Sequence, residues 1–461
     1  MKALFVSKLE DIVGKEWVVT RREAMEDYLT DETAQAVRPN PAADVVLLKP
    51  GSSQEISDIL KLANEEKIPV FPRGGGTGLV GSATPVENGI VLALGRMDRI
   101  EVDTTNLMVV AEAGVTLGKL IETAEKANLF FPLHPGEETA QVGGLVACNA
   151  GGVRAVKYGV MRKYVTGIEV VLPTGEILNL GGKLLKNVAG YDLMHLLIGS
   201  EGTLGVITKV VIRLHPRFKQ TATLIIPYDN HHDAMVTVPQ ILQEGVIPLA
   251  VEYVERELME TSAERLGKKW PVRKGKALLY IIITGRSIDE VYLEADRIDN
   301  IAREYNALDT LVIQSRREQD DILSIRSNIY LSLKPYTMDI LDVGVPPASI
   351  AELLDALDEI AKKYNMYLPV YGHAGDGNVH AQILMEEAGG VKEEDLEKVK
   401  EEIYEITIGL GGTITAEHGV GRIRIRNLGQ YLDEKAMEIM RGIKRVFDPN
   451  NVLNPGKVLP H

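Results

Sequence analysis

The sequence lacks several features that would place it in well-defined structural classes. It has one cysteine, Cys148, in 461 residues, which excludes an intrachain disulfide framework and any metal site built from several cysteines. No apolar run approaches the roughly 20 residues that a membrane-spanning helix needs. At the start of the chain, Glu10 and Asp11 interrupt any signal-peptide core. We therefore expect a protein of the reducing cytoplasm.

Positive charge is also in short supply. The chain has 51 lysines and arginines against 65 aspartates and glutamates, which gives a formal net charge of -14. Nucleic acids and anionic membranes would repel such a chain, so neither is expected as a partner. The apolar fraction of 45% and the charged fraction of 25% are those of an ordinary soluble globular protein. The length exceeds that of one compact core and predicts two or three domains.

The order of the predicted elements divides the chain into four parts. Residues 1–40 are predicted to form a polar, mostly helical leader. Residues 41–218 alternate strands and helices around glycine-rich segments, and Ser53 is expected to cap the first of these helices. Residues 219–400 contain fewer glycines and repeat a strand and helix order, which predicts an α+β domain with an antiparallel sheet. Residues 401–461 are again rich in glycine and in motifs.

The first glycine-rich loop follows Arg73 and contains G-x-G-x-x-G at residues 76–81. These letters match the dinucleotide fingerprint, but that fingerprint must open a helix, and here Pro85 and a strand from Gly89 follow. Consecutive glycines still allow backbone N–H groups to converge on an anion such as a pyrophosphate. Taken alone, the loop fits a tight exposed turn between strands better than an anion site.

Further glycine motifs follow in series at residues 134–136, 142–144, 149–152, 157–159 and 199–207. With the first loop, their order and spacing closely resemble the FAD-binding fold of the vanillyl-alcohol oxidase and p-cresol methylhydroxylase type. The resemblance is to the branch with D-lactate dehydrogenases and the flavin subunit of glycolate oxidase, and it covers roughly residues 35–458. It implies an α+β fold in which a two-part FAD-binding domain is joined by an antiparallel cap domain and the C-terminal segment returns to the FAD domain.

The resemblance also implies where FAD binds. The cofactor would lie between two small α+β halves and would be noncovalent, because the first loop contains no histidine for a covalent link. Cys148 fits a small core residue better than a flavin link. The residues that the resemblance places at the cofactor are Arg73, Gly74, Gly75, Gly76, Thr77, Gly78, Pro135, Gly136, Gly143, Gly144, Asn149, Gly151, Gly152, Tyr158, Gly205, Ile207 and Asn454.

Two segments near the C-terminus concentrate chemically active side chains. The run at 371–380 reads YGHAGDGNVH, and the run at 415–421 reads TAEHGVG. The first predicts two strands joined by a glycine turn, which brings His373 and His380 to one end of a sheet. Two histidines and a glutamate suit a divalent metal with open positions, although the histidines could instead only hydrogen-bond the turn. The resemblance implies a Zn, Mn or Fe ion on His373, His380 and Glu417, with His418 as the general base.

Two further observations concern the substrate. Arg326 matches the arginine that binds the substrate carboxylate in the family, although from its helix alone a solvated surface arginine fits equally well. Relatives that act on D-2-hydroxyglutarate carry a lysine just before the position of Asp342, where this chain has Ile340 and Leu341. That difference disfavours a dicarboxylic substrate.

The resemblance therefore implies an FAD-dependent dehydrogenase that oxidises a small D-2-hydroxy acid, D-lactate or glycolate, to the 2-oxo acid. Because the chain has no set of cysteines to carry electrons onward, we expect a separate acceptor. An electron-transferring flavoprotein, an iron–sulfur subunit and a quinone all remain open, as do a homodimer and attachment to a membrane through a partner. The alternatives for the function are a D-2-hydroxyglutarate dehydrogenase and a noncatalytic flavin subunit of a redox complex.

Overall fold

The computed structural model describes residues 3–460, so Met1, Lys2 and His461, at the ends of the first and last predicted parts, lie outside the described residues. The strands of the amino-terminal half are β1 (Val18–Val19), β2 (Val45–Leu48), β3 (Val70–Arg73), β4 (Gly89–Ala93), β5 (Ile100–Asp103), β6 (Met108–Glu112), β7 (Leu129–Phe130), β8 (Val165–Val171), β9 (Ile177–Gly181), β10 (Val206–Arg213) and β11 (His215–Pro216). Its helices are α1 (Ala3–Val13), α2 (Ser53–Glu66), α3 (Leu117–Lys126), α4 (Val142–Ala147), α5 (Ala155–Tyr158) and α6 (Leu193–Leu197).

The first small sheet has the order β1-β2-β4-β3, with β1 antiparallel and the other strands parallel. The predicted leader is therefore only partly helical, because its strand β1 forms the edge of this sheet. It is also not separate, since Phe5 and Leu9 of α1 share an apolar core with Ile56 of α2. The predicted cap of α2 is wrong by one residue: the side chain of Ser52 accepts the Glu55 N–H at 3.2 Å.

The second small sheet is antiparallel, with the order β5-β6-β10-β8-β9. Residues of α3 and α4, including Leu120 and Val146, pack with strand residues such as Val109, Ile168 and Val210 in one apolar core. Each sheet thus has its own helices on a buried face, as a layered α+β unit requires. The prediction of two small α+β halves is confirmed.

The second half of the chain forms a larger unit. Its strands are β12 (Gln220–Tyr228), β13 (Ala250–Glu255), β14 (Ala277–Gly285), β15 (Leu311–Ile313), β16 (Thr337–Gly344), β17 (Val370–His373) and β18 (Asn378–Leu384). Its helices are α7 (His231–Gln243), α8 (Arg256–Arg265), α9 (Ile288–Glu304), α10 (Arg316–Ser327), α11 (Ile329–Leu333), α12 (Ile350–Lys363), α13 (Leu396–Gly409), α14 (Ile425–Tyr431) and α15 (Glu434–Phe447). The seven strands form one antiparallel sheet in the order β15-β12-β14-β13-β17-β18-β16, as the sequence predicted.

Helices cover both faces of this sheet. Successive side chains of a strand point to opposite faces, and Leu224 and Ile226 of β12 pack with α7, α9 and α12, while Ile225 packs on the other side. On that other side, Val254, Ile340 and Tyr371 share a core with residues of α8, α10 and α11. We call this second side the α10 face, and it carries the polar cluster described below.

The C-terminal segment returns to the first small sheet, as predicted. The Val70 N–H of β3 donates to the carbonyl of Val452, and the Asn454 N–H donates to the carbonyl of Val70, each at 2.7 Å. Leu453 is fully buried in the core of that sheet. In the described residues, no helix combines the length and apolar character needed to cross a membrane.

Candidate active site

The predicted hairpin of the YGHAGDGNVH motif is present as β17 and β18. His373 at the end of β17 lies opposite Asn378 at the start of β18. Gly377 in the turn has a φ of 92°, and a Cβ there would lie 1.9 Å from the carbonyl oxygen of Val345. The turn therefore requires glycine for both reasons, and it fixes the spacing between the two histidines.

Strand alternation places both histidines on the α10 face. His380 lies opposite Tyr371 on β17 and opposite Asp342 on β16, and directly opposed residues of an antiparallel pair point to the same face. The rings of His373 and His380 are 5.3 Å apart and nearly perpendicular. Both side chains are buried.

Asp342 attaches the TAEHGVG loop to this face. Its Oδ2 accepts the N–H groups of Ala416, Glu417 and His418 at 3.0, 2.8 and 2.7 Å, and the Thr415 hydroxyl at 2.9 Å. Burial alone would raise the pKa of Asp342, but the nearby histidines and these donors hold it below its ordinary value. The sequence analysis assigned Asp342 no such role, although an acid inside the apolar run of β16 was a signal for it.

Glu417 lies at the centre of the three histidines. Its Oε1 is 3.5 Å from His373 Nε2, 3.4 Å from His380 Nε2 and 3.7 Å from His418 Nε2. Burial lowers the pKa of His380 to about 3. Burial would also lower the pKa of His373, but the carboxylates of Glu252 and Glu417 outweigh it and raise that pKa well above its usual value. The four residues predicted from the motifs are thus brought together.

The donor atoms of this cluster fit a divalent ion. Imidazole nitrogens and one carboxylate oxygen converge, which is a ligand set that Zn, Mn and Fe accept. Asp342 lies with His380, Glu417 and His418 in one group of possible ligand atoms within 4.8 Å. However, both oxygens of Asp342 already accept hydrogen bonds, and Asn378 Nδ2 donates to Oδ1 at 2.7 Å. Asp342 is therefore better suited to hold the ligand residues in place than to bind the ion itself.

Arg326 is not the solvated surface residue that its helix allowed. It is 7% exposed, its Nη2 donates to Glu252 Oε2 at 2.6 Å, and its guanidinium lies 5.0 Å from the centre of the Tyr371 ring. Its Nε is buried and has no hydrogen-bond partner among the described residues. Glu252 also accepts from His373 Nδ1 at 2.6 Å and was missed by the sequence analysis.

The first glycine-rich loop has the properties of an anion site. Among the described residues, no acceptor receives the backbone N–H groups of residues 74–78. A Cβ on Gly74 would lie 3.7 Å from the Cα of Gly144, so the first loop meets the second glycine-rich segment, which covers residues 136–159. A Cβ on Gly144 itself would have no atom within 4 Å. Unpaired N–H groups beside open space fit the pyrophosphate of FAD.

The side chain of Arg73 is used within the protein. Its Nη1 and Nη2 donate to the carbonyls of Thr30 and Asp27 at 2.8 and 2.6 Å, so the guanidinium holds the N-terminal segment against the loop. On the other side of the loop, Lys457 Nζ donates to the carbonyls of Gly81 and Thr84 at 2.5 and 2.7 Å. Both terminal nitrogens of Arg73 are therefore engaged in contacts within the protein.

Glu201 connects the first loop to the TAEHGVG loop. Its fully buried carboxylate accepts the Ser82 hydroxyl at 2.6 Å and the N–H groups of Val420 and Gly421 at 2.8 Å each. The amide of Asn454 donates to the carbonyl of Glu201 at 2.8 Å. These contacts tie the predicted pyrophosphate site to the loop that carries Glu417 and His418.

Other predicted cofactor residues have packing roles in the structure. Cβ atoms on Gly143 and Gly205 would lie 2.6 and 2.5 Å from Ala113 Cβ and Val170 Cγ2, respectively. Ile207 is buried in the core of the second sheet, the ring of Tyr158 contacts those of Phe130, Tyr164 and His215, and Asn149 Oδ1 accepts the Arg162 N–H at 2.9 Å. The side chains of Asn149, Tyr158 and Ile207 are therefore engaged in contacts within the protein.

The predicted flavin segment and the histidine cluster share one cavity of about 520 Å³. Gly151 and Gly152 line it from the first half of the chain, while His373 and Glu417 line it from the second. A Cβ on Gly151 would lie 3.2 Å from Glu417 Oε2. A group bound along the second glycine-rich segment would therefore face the cluster directly.

Comparison with known proteins agrees with this arrangement. Residues 45–181 match the family described as FAD binding domain, and residues 217–458 match FAD linked oxidases, C-terminal domain. The chain is 44% identical to a D-lactate dehydrogenase of Archaeoglobus fulgidus, over 94% of this chain and 95% of that protein. It is 37% identical to the glycolate oxidase subunit GlcD of Bacillus subtilis, over 89% and 88%.

Among solved structures, p-cresol methylhydroxylase with substrate bound has the same fold, with a TM-score of 0.79 at 16% identity, covering 98% of this chain and 96% of that one. The family matches and the observed fold, with its two α+β halves and the return of its C-terminal segment, indicate the same family. The chain therefore belongs to the FAD-linked oxidases and is an FAD-dependent oxidoreductase.

Proposed function

We propose that this protein oxidises a small D-2-hydroxy acid, D-lactate or glycolate, to the corresponding 2-oxo acid. The observation that carries the proposal is the buried guanidinium of Arg326 next to the cluster of three histidines and Glu417. The substrate carboxylate needs a cation, and the substrate hydroxyl needs a base. Arg326 and the histidine cluster, which can meet these needs, lie on the same face of the seven-stranded sheet. The names of the similar proteins from Archaeoglobus fulgidus and Bacillus subtilis support the same class of substrate.

Each residue has a distinct part in this proposal. Arg326 would bind the substrate carboxylate, and its Nε has no hydrogen-bond partner among the described residues. His418 accepts the proton of the hydroxyl group. His373, His380 and Glu417 would hold a divalent ion, which lowers the pKa of a bound hydroxyl when present. FAD would be held along residues 74–78 and the second glycine-rich segment, and it would supply the acceptor for the hydride that leaves the substrate Cα.

The electrons must then leave to a separate acceptor. Cys148 has no partner cysteine, and burial raises the pKa of its thiol to about 12, which disfavours redox chemistry there. We therefore retain an electron-transferring flavoprotein, an iron–sulfur subunit or a quinone as the partner in this proposal.

One observation favours a dicarboxylic substrate as the second candidate. Lys163 lines the same cavity as His373 and Glu417, and its ammonium could bind a second carboxylate. The absence of a lysine before Asp342 argues in the other direction. Steady-state assays with an artificial dye acceptor should compare D-lactate, glycolate and D-2-hydroxyglutarate, with the 2-oxo product quantified in each case. Turnover of D-2-hydroxyglutarate alone would replace the leading proposal with this one.

We predict that FAD is bound tightly but without a covalent bond. The first loop has no histidine, and the thiol of Cys148 is held in its neutral form by burial. Acid precipitation of the purified yellow protein should release the flavin into the supernatant, where its absorbance gives the stoichiometry. Flavin that stays in the washed pellet would contradict the prediction.

We predict that Arg326→Lys raises the Michaelis constant while the protein still folds. Lysine keeps a positive charge opposite Glu252 but lacks the planar fork that binds a carboxylate with two N–H groups. Loss of such a contact costs about 1.5–3 kcal/mol, or about tenfold to 150-fold in affinity.

Lysine is a better choice than alanine at this position. Alanine would leave the Glu252 carboxylate buried without its partner, which costs about 3–5 kcal/mol of stability. Arg317→Lys, in the same helix but exposed, is the matched control and should change nothing. An unchanged Michaelis constant in Arg326→Lys for every acid that reduces the flavin would remove Arg326 from the substrate site.

A further inference from the structure

Glu252 lies at the centre of β13 and joins two groups that the proposed function uses separately. Its side chain is completely buried. One carboxylate oxygen accepts Arg326 Nη2 and the other accepts His373 Nδ1, each at 2.6 Å. The three residues come from β13, α10 and β17, so a single carboxylate connects three separate elements of the cap.

The contact with His373 fixes which ring nitrogen carries the proton. Because Nδ1 donates to Glu252, Nε2 is the ring nitrogen left for an ion, and it faces Glu417 Oε1 at 3.5 Å. Carboxylates that accept from the far nitrogen of a histidine set its tautomer and orientation in this way.

The contact with Arg326 fixes the guanidinium in a corresponding manner. Nη2 donates to Glu252, and the central carbon of the guanidinium, Cζ, lies 5.0 Å from the centre of the Tyr371 ring. Nε stays buried without a partner. The guanidinium is thus held in one orientation with an N–H group left for a ligand.

We propose that Glu252 is a positioning residue that aligns the substrate-binding arginine and the histidine of the catalytic cluster with each other. This inference rests on the proposed function, because it requires that Arg326 and His373 act on the same substrate. Glu252 would then fix the position of a substrate carboxylate on Arg326 relative to an ion on His373 Nε2. Glu252 itself does not touch the substrate.

The test is Glu252→Gln, which keeps the size of the side chain but offers one acceptor and one N–H₂ group. Its oxygen can accept from Arg326, but its N–H₂ can only donate to His373 Nδ1, which moves the ring proton to Nε2. We expect a Michaelis constant for D-lactate raised about tenfold to a hundredfold, since one hydrogen bond to a charged group is lost, together with slower flavin reduction. The spectral shift of bound flavin on adding oxalate, a nonreacting carboxylate, should weaken by a similar factor.

Glu255→Gln is the matched control, since Glu255 lies on the same strand and its carboxylate accepts from the Val370 N–H and the Tyr367 hydroxyl. It should leave both quantities unchanged. If Glu252→Gln fails to retain FAD, Glu252→Asp carries the test, because it keeps the charge but is too short to span both donors. It should show the same increase in Michaelis constant in protein that retains FAD.

The outcomes separate this inference from the function on which it rests. Wild-type Michaelis constant and reduction rate in a folded Glu252 variant would overturn the positioning role and leave the proposed function standing. Equal losses in the Glu252 and Glu255 variants would also overturn it, since a general effect on the strand would then explain both. If no 2-hydroxy acid reduces the wild-type flavin, the proposed function fails, and the inference fails with it.

Discussion

Replacement of His418 by alanine is expected to slow flavin reduction by a factor of about 10²–10⁴, the usual loss when a general base is removed. The His418 ring stacks on that of His380 with 3° between their planes, and its Nδ1 is buried without a hydrogen-bond partner among the described residues. This nitrogen lies 4.0 Å from Asp342 Oδ2. The measurement is the first-order rate of flavin bleaching after anaerobic rapid mixing with D-lactate.

The structure explains why this variant should still fold. The backbone N–H of His418 holds the loop on Asp342 at 2.7 Å, and alanine keeps that bond. The control is His232→Ala, an exposed histidine of α7 whose ring contacts Asp355 on the outer surface of the cap. Added imidazole should restore part of the rate in His418→Ala only. A wild-type rate in His418→Ala would assign the base to another group.

Removal of a divalent ion is expected to abolish turnover while FAD stays bound. Glu417 Oε1 lies within 3.7 Å of three imidazole nitrogens, whereas the predicted FAD contacts come from backbone N–H groups of another part of the chain. Prolonged dialysis against a chelator should therefore give a yellow, inactive protein. Zn²⁺, Mn²⁺ or Fe²⁺ should restore activity, and the best ion identifies the native metal, since the ligand set accepts all three.

Glu417→Gln is the matching variant, because a neutral amide is a weaker ligand than a carboxylate. Elemental analysis should show metal in the wild type and in the control Glu405→Gln, an exposed residue of α13, and little in Glu417→Gln. A fully active wild-type preparation without metal would contradict the scheme. His373 and His380 would then have to act on the substrate directly.

The sequence predicted the parts of the site that lie close together in the chain. His373 and His380 are seven residues apart in one hairpin, so the glycine turn alone determines that they meet. Glu417 and His418 are adjacent, and their approach to the hairpin followed from the family resemblance. The roles of these residues, and the domain boundaries near residues 41, 219 and 401, remain predictions.

The residues that sequence analysis missed depend on contacts between distant strands. Glu252 meets Arg326 and His373 at separations of 74 and 121 residues. The contact with His373 depends on the pairing of β13 with β17, and the contact with Arg326 depends on the packing of α10 on the sheet. In the sequence, Glu252 and Asp342 lie in apolar strands that each contain two acids, a pattern that an exposed face also produces. The strand β1 was missed for a similar reason, since two residues carry no periodicity.

The central claim is that 2-hydroxy acids are oxidised by way of FAD in the cavity lined by Gly151 and Gly152 on one side and by His373 and Glu417 on the other. Its most direct test is the absorbance of the bound flavin under anaerobic conditions during addition of D-lactate, L-lactate, glycolate and D-2-hydroxyglutarate. The account predicts that D-lactate or glycolate bleaches the flavin fully and that L-lactate does not. Flavin that stays oxidised with all four acids, in metal-loaded protein that dithionite still reduces, would contradict it.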